Sequence, residues 1–459
     1  MTQPSHIAVI DIGKTNAKLA LVDLETLTEI AVVTRPNAVL AGLPWGHFDT
    51  EGHWALLLSA LKTFHKEHGV DAISVTTHGA SIALLDANGQ LAAPILDYEH
   101  PIPSDIAAKY DVIRPSFEMT GSPRLANGLN VGAQLHYMFA QDPTLYARTK
   151  TIVGYPQYWS HRLTGNAAID VTSIGCHTDL WCPNEGRFSD LVETLGLMDK
   201  MAQVRNSGDI LGTILPEIAD EIGLPDTTPV TVGIHDSNAS LYPHILAQNA
   251  PFSVVSTGTW VIVMAVGGTA KHLDPARDTL INVDALGNPV PSARFMGGRE
   301  YELIQAGHFT TPTDDDIEDV LTSSTMLLPA VEPTTGPFQN QNMRWTGPEP
   351  ALGSGQRSVA LSFYLAMMTD ACLSLAGAKG PTIIEGPFAA NSEFTRMLAA
   401  ATHRPVFRSD AKTGTAIGAA LLFSQGDAKA GTNVSENAVQ TQVWTDYAAK
   451  WRAIAMSGE

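Results

Sequence analysis

The segment from His6 to Lys18 constrains the fold of this chain more than any other part of the sequence. Residues 7–10 are apolar without alternation, as expected of a strand that is covered on both faces of a sheet. Asp11 follows where that strand leaves the core, and Gly13 allows the backbone to turn closely. The chain therefore begins with a buried strand that delivers a carboxylate to a tight turn.

The turn after this strand carries groups that bind anions. Thr15 and Asn16 offer short hydrogen-bond donors, and Lys18 offers a positive charge. The two familiar phosphate loops are missing, because Ala8 occupies the first glycine position of a Walker A loop and no Gly-x-Gly-x-x-Gly is present here. The spacing Asp-x-Gly-x-Thr-Asn-x-Lys predicts a hairpin for Mg-bound phosphate, although an ordinary strand and turn can share it.

Charge and cysteine content narrow the class of protein. Lys and Arg number 28 against 47 Asp and Glu, and the formal charge of −19 argues against nucleic acid or an anionic membrane as a partner. Only Cys176, Cys182 and Cys372 are present, which suits a reducing compartment. With no charged leader and no apolar run of about 18 residues, we expect a cytoplasmic protein.

The length of the chain predicts more than one domain. At 459 residues the sequence is too long for one simple core, so we expect two or three domains. Residues 7–23 form a strand, turn and strand, and residues 230–266 repeat this pattern weakly. Such an echo indicates two similar domains that face one cleft.

Periodicity and turn residues predict the remaining elements. We expect a helix over 54–68, a strand over 72–77, a hairpin over 82–95 with an Asn-Gly turn, mostly helix over 100–225, loops over 308–356, a helix over 358–378, a strand over 382–384 and a small-residue helix over 414–423.

A candidate catalytic base lies at the end of a second strand. Phosphoryl transfer to an alcohol needs a base near the hydroxyl, donors around the phosphates and a metal. Asp236 follows the strand over 230–234 within His235-Asp236-Ser237-Asn238. A lone Asp at a strand end is more often a cap or turn former. The turn Ser256–Trp260 further along the chain makes the catalytic interpretation stronger.

Five short motifs in a fixed order connect this chain with a known family. They are Asp11-x-Gly13-x-Thr15-Asn16, Thr77-His78-Gly79, Leu163-Thr164-Gly165, Gly233-Ile234-His235-Asp236 and Ser256-Thr257-Gly258-Thr259-Trp260. Over nearly the whole chain, the order resembles that of the FGGY carbohydrate kinases. Within that family the chain is most similar to the L-fuculokinase and L-rhamnulokinase branch.

The resemblance implies an α/β fold of two RNase H-like domains of the actin and sugar-kinase ATPase superfamily around a central cleft. It implies an N-terminal domain over residues 1–228 that carries the sugar site and the first phosphate hairpin. It also implies a C-terminal domain over 229–459 that carries the catalytic Asp, the second phosphate hairpin and the nucleotide site, with the last helix packing back on the first domain.

The resemblance also implies roles for individual residues. Asp236 would be the general base, and Asp11 and Asp236 would hold Mg²⁺. The sugar would contact Thr77, His78, Gly79, His235 and Asp236. A satisfied core histidine is an equal alternative for His78. ATP would contact Asp11, Gly13, Lys14, Thr15, Asn16, Lys18, Thr257, Gly258, Thr259, Gly386 and Asn391.

One departure from the family pattern concerns adenine binding. The family has a Gly-rich turn after the strand that reaches the adenosine, whereas this chain has Glu385-Gly386-Pro387-Phe388. Glu385 adds a charged side chain, and Pro387 removes a donor and restricts φ. The segment Gly297–Tyr301 can reach the sugar or a phosphate, but its pattern is also that of an ordinary loop beside a helix start.

The resulting hypothesis is an ATP- and Mg²⁺-dependent kinase that phosphorylates a ketose, with a 6-deoxyketohexose such as L-fuculose or L-rhamnulose, at O1, as the expected substrate. A xylulokinase or a polyol kinase is the alternative enzyme. A catalytically degenerate sugar-binding sensor is the alternative of another class. The sequence leaves open the sugar and the oligomeric state, a homodimer included.

Overall fold

Contacts along the chain divide it into two α/β units. The computed structural model describes residues 4–269, 273–409, 414–424 and 442–457. The first unit comprises Met1–Ala247, Ile281–Pro289 and Lys412–Ala430. The second unit comprises Gln248–Leu280, Val290–Ala411 and Gly431–Glu459.

The elements up to residue 247 all belong to the first unit. The strands are β1 (His6–Ile12), β2 (Asn16–Asp23), β3 (Thr28–Pro36), β4 (Val39–Leu40), β5 (His47–Phe48), β6 (Ala72–Thr77), β7 (Ile82–Leu85), β8 (Thr151–Gly154), β9 (Ile169–Asp170), β10 (Trp181–Cys182), β11 (Arg187–Phe188), β12 (Val204–Arg205), β13 (Ile210–Thr213), β14 (Pro229–Thr231) and β15 (Ile234–His235). The helices are α1 (Thr50–His68), α2 (Ser104–Ile113), α3 (Phe117–Thr120), α4 (Val131–Gln141), α5 (Leu145–Arg148), α6 (Tyr155–Thr164), α7 (Val171–Ile174), α8 (Asp190–Thr194), α9 (Pro216–Ile222) and α10 (Asp236–Ala247).

The elements beyond residue 247 build the second unit, except for residues 281–289 and the two helices within residues 415–423, which belong to the first. The strands are β16 (Phe252–Thr257), β17 (Val261–Val266), β18 (Thr279–Val283), β19 (Pro289–Phe295), β20 (Leu327–Leu328), β21 (Arg344–Trp345), β22 (Thr382–Glu385) and β23 (Val406–Arg408). The helices are α11 (Gly297–Gln305), α12 (Asp314–Ser323), α13 (Gly355–Leu375), α14 (Ser392–Thr402), α15 (Thr415–Ala420) and α16 (Gln442–Ser457), with 3-10 helices at Pro275–Arg277, Pro387–Ala390 and Leu421–Phe423.

The main sheet of the first unit has the order β13-β14-β6-β1-β2-β3, and β15 also pairs with β6. β1 pairs antiparallel with β2, which confirms the predicted returning strand and places Asp11 opposite Lys18. On its other side β1 runs parallel to β6. The apolar residues 7–10 are fully buried, as their lack of alternation predicts.

The main sheet of the second unit repeats this pattern. Its order is β18-β19-β17-β16-β22-β23. β16 pairs antiparallel with β17 and parallel with β22, as β1 does with β2 and β6. The predicted α/β fold with two similar units is thus present in the structure.

The internal repeat begins later than the sequence predicts. Residues 230–234 do not open the second copy, because β14 and β15 pair with β6 of the first sheet. Asp236 therefore lies in the first unit, and the division at Ala247 differs from the predicted boundary between residues 228 and 229. Strand pairing is a long-range contact, which explains why local pattern misplaces this boundary.

Two other predicted segments differ from the structure. The turn at Gly89 forms, but β7 pairs with β8 and meets the following segment at a single bridge, Leu85 with Leu91. Pro94 lacks the N–H that a continued ladder needs. Within the predicted loops over 308–356, α12 begins with a capping box in which Thr313 and Asp316 bond reciprocally.

Helix α13 forms the centre of the second unit. By length and composition this helix could cross a membrane, although the sequence analysis expects no such run. However, 83% of its most apolar 18-residue stretch is buried inside the protein, as in a core helix. Helix α16 packs in the same unit, where Trp444 and Tyr447 contact the Phe363 ring of α13. This packing differs from the predicted packing of the last helix on the first domain.

Helices α10 and α15 approach each other closely in the first unit. A Cβ on Gly418 of α15 would lie 1.7 Å from the carbonyl oxygen of Ala239 in α10, so only glycine allows this approach. Asp236 opens α10 and Thr415 opens α15. The Gly418 contact therefore determines how the first residues of the two helices are placed.

We expect Gly418→Ala to destabilise the protein by about 2 kcal/mol or more, because a methyl group that overlaps a backbone oxygen forces the two helices apart. Urea unfolding of the full chain measures this change. Gly414→Ala is the matched control, since a Cβ on Gly414 meets no atom within 4 Å. A Gly418→Ala variant as stable as the control would contradict the tight packing.

Candidate active site

Parallel pairing of β6 with β15 brings two predicted motifs together. His235 lies opposite Thr77, so the turn His78-Gly79 and the residue Asp236 follow at the same edge of the sheet. A Cβ on Gly79 would lie 2.6 Å from Nε2 of His235. Thr77 donates its hydroxyl to the carbonyl oxygen of His78 at 3.0 Å, which shapes the turn.

His78 presents an unpaired acceptor. The side chain is buried, and burial lowers its pKa to about 4, so the ring is neutral near pH 7. Its Nδ1 lies 2.8 Å from the carbonyl oxygen of Gly79, which assigns the ring proton to Nδ1 and leaves Nε2 as an acceptor. In the described residues this buried Nε2 has no hydrogen-bond partner. Such an atom suits a hydroxyl donor on a ligand better than the alternative of a satisfied core histidine.

His235 orients Asp236. The amide of Asn238 lies 3.3 Å from Nδ1 of His235 and donates to it, so the ring proton lies on Nε2. That Nε2 lies 3.2 Å from Oδ1 of Asp236. Burial lowers the pKa of His235 to about 4, so a neutral ring lies against this carboxylate oxygen.

Asp236 keeps one carboxylate oxygen free. Its Oδ1 accepts the backbone N–H of Ser237 at 2.6 Å in addition to the His235 contact. Within the described ranges, Oδ2 makes no hydrogen bond, and 29% of the side chain is exposed. Desolvation raises the pKa of Asp236; a protonated His78 would oppose that rise, and the hydrogen bonds from Ser237 oppose it in part. The arrangement therefore holds one oxygen and presents a basic second oxygen.

Asp11 lies in a separate network at the end of β1. Its Oδ2 accepts the hydroxyl of Thr415 at 2.6 Å and lies 3.3 Å from Nζ of Lys18. Lys18 also pairs with Glu29 at 3.2 Å. Burial raises the pKa of Asp11, the charge of Lys18 lowers it, and the charge of Asp236 adds a smaller rise. The charge of Asp236 is therefore a minor influence on Asp11 beside burial and Lys18.

The sequence analysis missed Thr415. It lies 404 residues from Asp11, and no local pattern connects the two. The one available signal was the predicted small-residue helix over 414–423, because small residues allow a helix start to approach a neighbouring strand end.

The donors of the first hairpin lie at its tip. Thr15 and Asn16 are exposed, and Gly13 closes the turn through its N–H to the Asn16 carbonyl at 2.9 Å. Lys14 points elsewhere: its Nζ pairs with Asp97 and Glu99. In this structure two carboxylates therefore engage the ammonium of Lys14, and its predicted phosphate contact stays a prediction.

The second unit carries the predicted second phosphate turn. Gly258 and Thr259 are exposed, as phosphate-binding residues must be. Thr257 is buried, and its hydroxyl donates to the Glu385 carbonyl at 2.5 Å and accepts the Phe388 N–H at 3.1 Å. The Thr257 side chain thus holds the turn in place, and a phosphate could reach only its backbone.

A cavity of about 670 Å³ lies beside this turn. Its walls include Gly258, Thr259, Gly298, Tyr301, Phe388 and Asn391. The side chain of Asn391 donates to Ser362 at 2.9 Å and accepts the Phe394 N–H at 2.9 Å. The volume and the aromatic walls are suitable for a nucleoside.

The departure at Glu385-Gly386-Pro387 leaves this cavity open. Gly386 has φ +79°, and a Cβ there would lie 2.0 Å from the carbonyl oxygen of Thr257. The one glycine that the turn requires is therefore present. Pro387 begins a 3-10 helix and lines the cavity with Phe388.

Helix α11 lines the cavity with a segment whose sequence allowed either a sugar or phosphate contact or an ordinary loop beside a helix start. A Cβ on Gly298 would lie 2.2 Å from the carbonyl oxygen of Gly258, so α11 contacts the phosphate turn directly. Tyr301 follows one turn later and lines the cavity. The Gly297-Gly298 pair was the available signal, because adjacent glycines permit close backbone approach.

A buried carboxyl anchors α11. Glu300 is fully buried, and its Oε1 accepts the N–H of Glu332 at 3.1 Å. Burial raises the pKa of Glu300 to about 7. Glu300 therefore binds its proton more tightly in the folded chain than in the unfolded chain, where its pKa is 4.5.

This shift predicts a pH dependence of stability. The stabilisation that protonated Glu300 contributes is complete below pH 4.5 and is lost as the pH rises through about 7. Glu300→Gln keeps a neutral side chain, so its stability relative to wild type should rise by roughly 2 to 3 kcal/mol between pH 5 and pH 8. Urea unfolding at both pH values measures this. Glu302→Gln, on the exposed face of the same helix, should show no such trend. A pH-independent difference for Glu300→Gln would refute the shift.

Comparison with known proteins identifies the family. The sequence model described as "FGGY family of carbohydrate kinases, N-terminal domain" matches residues 6–242, and "Carbohydrate kinase FGGY, C-terminal domain" matches residues 249–431. The crystal structure of a carbohydrate kinase from Novosphingobium aromaticivorans is 35% identical and superimposes with a TM-score of 0.89, over 98% of this chain and 100% of that one. A xylulose kinase from Rhodospirillum rubrum, 19% identical with a TM-score of 0.78 over 98% of each chain, shares the fold.

Curated relatives agree with the predicted branch. L-fuculokinase from Salmonella typhi is 25% identical over 269 residues, which are 57% of this chain and 57% of that protein. Rhamnulokinase from Ligilactobacillus salivarius is 28% identical over 131 residues, 28% of this chain and 27% of that protein. The chain thus matches about half the length, or less, of these relatives. The resemblance predicted from the five motifs is confirmed, and the chain belongs to the FGGY family of carbohydrate kinases.

Proposed function

We propose that this protein is an ATP-dependent kinase that phosphorylates a ketose, with a 6-deoxyketohexose such as L-fuculose or L-rhamnulose, at O1, as its substrate. The observation that carries the proposal is the pairing of two groups at one sheet edge. His78 offers an unpartnered acceptor, and Asp236 offers a free carboxylate oxygen. Together they can hold a hydroxylated ligand and remove a proton from it.

Asp236 acts as the general base in this proposal. Its Oδ2 takes the proton of the sugar hydroxyl as the hydroxyl oxygen attacks the γ-phosphorus, and the bond to ADP breaks. The backbone N–H of Ser237 holds Oδ1, and the His235 ring lies 3.2 Å from the same oxygen. The raised pKa makes Asp236 a stronger base than an exposed carboxylate.

The charges near His78 favour an uncharged sugar as the acceptor of the phosphoryl group. Both His78 and His235 are neutral near pH 7, because burial lowers the pKa of each to about 4. The ammonium of Lys14 lies between Asp97 and Glu99 and 4.4 Å from the centre of the Tyr98 ring. No cation in this group is left to bind a sugar acid, so a neutral sugar with several hydroxyls fits better.

The second unit would bind the nucleotide. We assign the adenosine to the cavity beside Tyr301 and Phe388, and the phosphates to the exposed backbone of Gly258 and Thr259. The exposed hairpin tip of the first unit offers donors of the same kind. In this arrangement Gly386 shapes the turn and Asn391 caps the helix next to the cavity, and their predicted contact with ATP stays a prediction.

Asp11 and Asp236 fit Mg²⁺ that arrives with the phosphates. Each carboxylate has a pKa raised by burial, and a divalent cation would stabilise the charged form of both. Groups of three or more metal-binding side chains are absent from the described residues. Mg²⁺ in kinases commonly binds one or two carboxylates together with phosphates and water, which agrees with this pair. The ion would neutralise charge on the transferred phosphoryl group.

The choice of sugar rests on the curated relatives, whose names are L-fuculokinase and rhamnulokinase. We place the reaction in the cytoplasm, where the buried thiols of Cys176, Cys182 and Cys372 would stay reduced. Whether the enzyme works as a homodimer does not enter the proposal.

A coupled assay of ADP release with a panel of sugars tests the function. L-Fuculose and L-rhamnulose should give the highest kcat/KM, above D-xylulose and glycerol. A preference for xylulose or a polyol would contradict the proposed substrate but would agree with the proposed kinase activity. Sugar binding without ADP release would instead support the sensor.

We expect Asp236→Asn to lower kcat by about 10² to 10⁴-fold with sugar binding retained, because the amide keeps the shape but loses basicity. Steady-state kinetics and calorimetry with sugar alone measure the two effects. Asp226→Asn, an exposed change in the same unit, should behave as wild type. A kcat near that of the wild type in Asp236→Asn would show that Asp236 is not the general base.

We expect Asp11→Asn to raise the Mg²⁺ concentration needed for half-maximal activity about tenfold or more, since one anionic partner of the metal is lost. Sugar affinity measured without nucleotide should stay unchanged, because no sugar contact is assigned to Asp11. A variant that loses sugar affinity while its Mg²⁺ requirement is unchanged would contradict this role.

A further inference from the structure

The second unit contains another cavity, of about 520 Å³, that the proposed reaction does not use. It lies along the C-terminal half of α13 and against α16, with lining residues that include Arg277, Phe338, Met367, Asp370, Trp451 and Arg452. We propose that this cavity binds a small organic carboxylate with an aromatic or branched aliphatic body.

The apolar part of the lining is rigid and aromatic. Met367 and Trp451 are almost fully buried, and Phe338 is 6% exposed. Trp451 is held by a hydrogen bond from Nε1 to the Leu327 carbonyl at 2.7 Å and by edge contact with Phe338. A preformed wall of this kind binds a flat apolar body with little ordering of side chains.

An ion pair forms a neutral part of the lining. Asp370, only 4% exposed, accepts from Nε of Arg452 at 3.0 Å and from Nη2 at 2.7 Å. Arg452 also donates to the Ala401 carbonyl at 2.8 Å. These contacts satisfy both charges, so the pair contributes no net charge to the cavity.

Arg277 is left as an unbalanced cation. Its Nε donates to the Pro337 carbonyl at 2.8 Å, and its guanidinium lies 5.7 Å from the centre of the Phe338 ring. Among the described residues no carboxylate pairs with Arg277, so its terminal nitrogens are available to a ligand. One half-buried guanidinium next to an apolar wall matches a single carboxylate, which it can bind through two parallel hydrogen bonds.

This ligand differs from the substrates of the proposed reaction. The nucleotide cavity is lined by α11, the N-terminal half of α13 and the Pro387–Ala390 segment, and none of its lining residues lines the second cavity. A sugar lacks the apolar body that this lining favours. The inference therefore concerns a second ligand and does not rest on kinase activity.

A ligand-observed NMR titration of the full chain with 2-naphthoate tests the site. We expect saturable binding with a Kd of about 0.1 to 1 mM, as is typical for a ligand of this size. The neutral analogue 2-naphthalenemethanol should bind at least tenfold more weakly, because it lacks the charge that pairs with Arg277. Equal affinity for the two compounds, or no binding of 2-naphthoate at 5 mM, would overturn the proposal.

Two variants locate the binding. Arg277→Gln should weaken 2-naphthoate at least tenfold, whereas Arg299→Gln, which alters an arginine outside the cavity, should have no effect. Ala371→Phe, which fills the cavity from α13, should abolish binding. Thermal unfolding confirms that each variant is folded. Unchanged affinity in Arg277→Gln, or retained binding in folded Ala371→Phe, would show that the ligand binds elsewhere.

Discussion

The register of strand β6 is the constraint on which the first unit's site depends. β6 pairs with β1 on one side, where Thr77 lies opposite Ile12, and with β15 on the other, where Thr77 lies opposite His235. Asp11 and Asp236 therefore end their strands at the same edge. A shift of one residue in either ladder would turn every side chain to the opposite face and separate the groups. The fully buried β6 prevents that shift, because its side chains contact protein on both faces of the sheet.

Burial gives the site its electrostatic character in a chain with a net charge of −19. Desolvation keeps His78 and His235 neutral and raises the pKa of Asp11 and Asp236. The same protein thus provides basic carboxylates and uncharged hydrogen-bonding rings within one region. If these side chains were exposed to solvent, their pKa values would be ordinary. The apolar and aromatic side chains that cover them are therefore responsible for the shifted pKa values of the site.

Local patterns predicted the strand pairs β1–β2 and β16–β17 and the candidate site residues at their turns. The unbroken apolar run before Asp11 predicted β1, and the polar strand end predicted the place of Asp236. Contacts between segments that lie far apart in the sequence could not be predicted from local patterns. Thr415 meets Asp11 only because α15 returns to the first unit, and Tyr301 reaches the nucleotide cavity only because α11 packs on the Gly258 turn.

Glu385-Gly386-Pro387 stands where the resemblance leads us to expect a Gly-rich turn, and the structure shows which of its residues must be glycine. Only Gly386 has the positive φ and the close backbone contact that exclude a side chain. Glu385 still ends β22, and Pro387 occupies the first position of a 3-10 helix, where a missing N–H has little effect. This turn therefore requires glycine at position 386 and accepts other residues on either side of it.

Helix α13 has an evolutionary consequence. Ser358 and Ser362 of this helix line the nucleotide cavity, whereas Met367 and Asp370 line the second cavity. Most of the other residues of the helix are buried in the protein. Close-packed helices move as rigid bodies, so a substitution that repositions one wall repositions the other. Mutations in this helix would be pleiotropic, and adaptation of either cavity would proceed through the elements that face it and leave α13 unchanged.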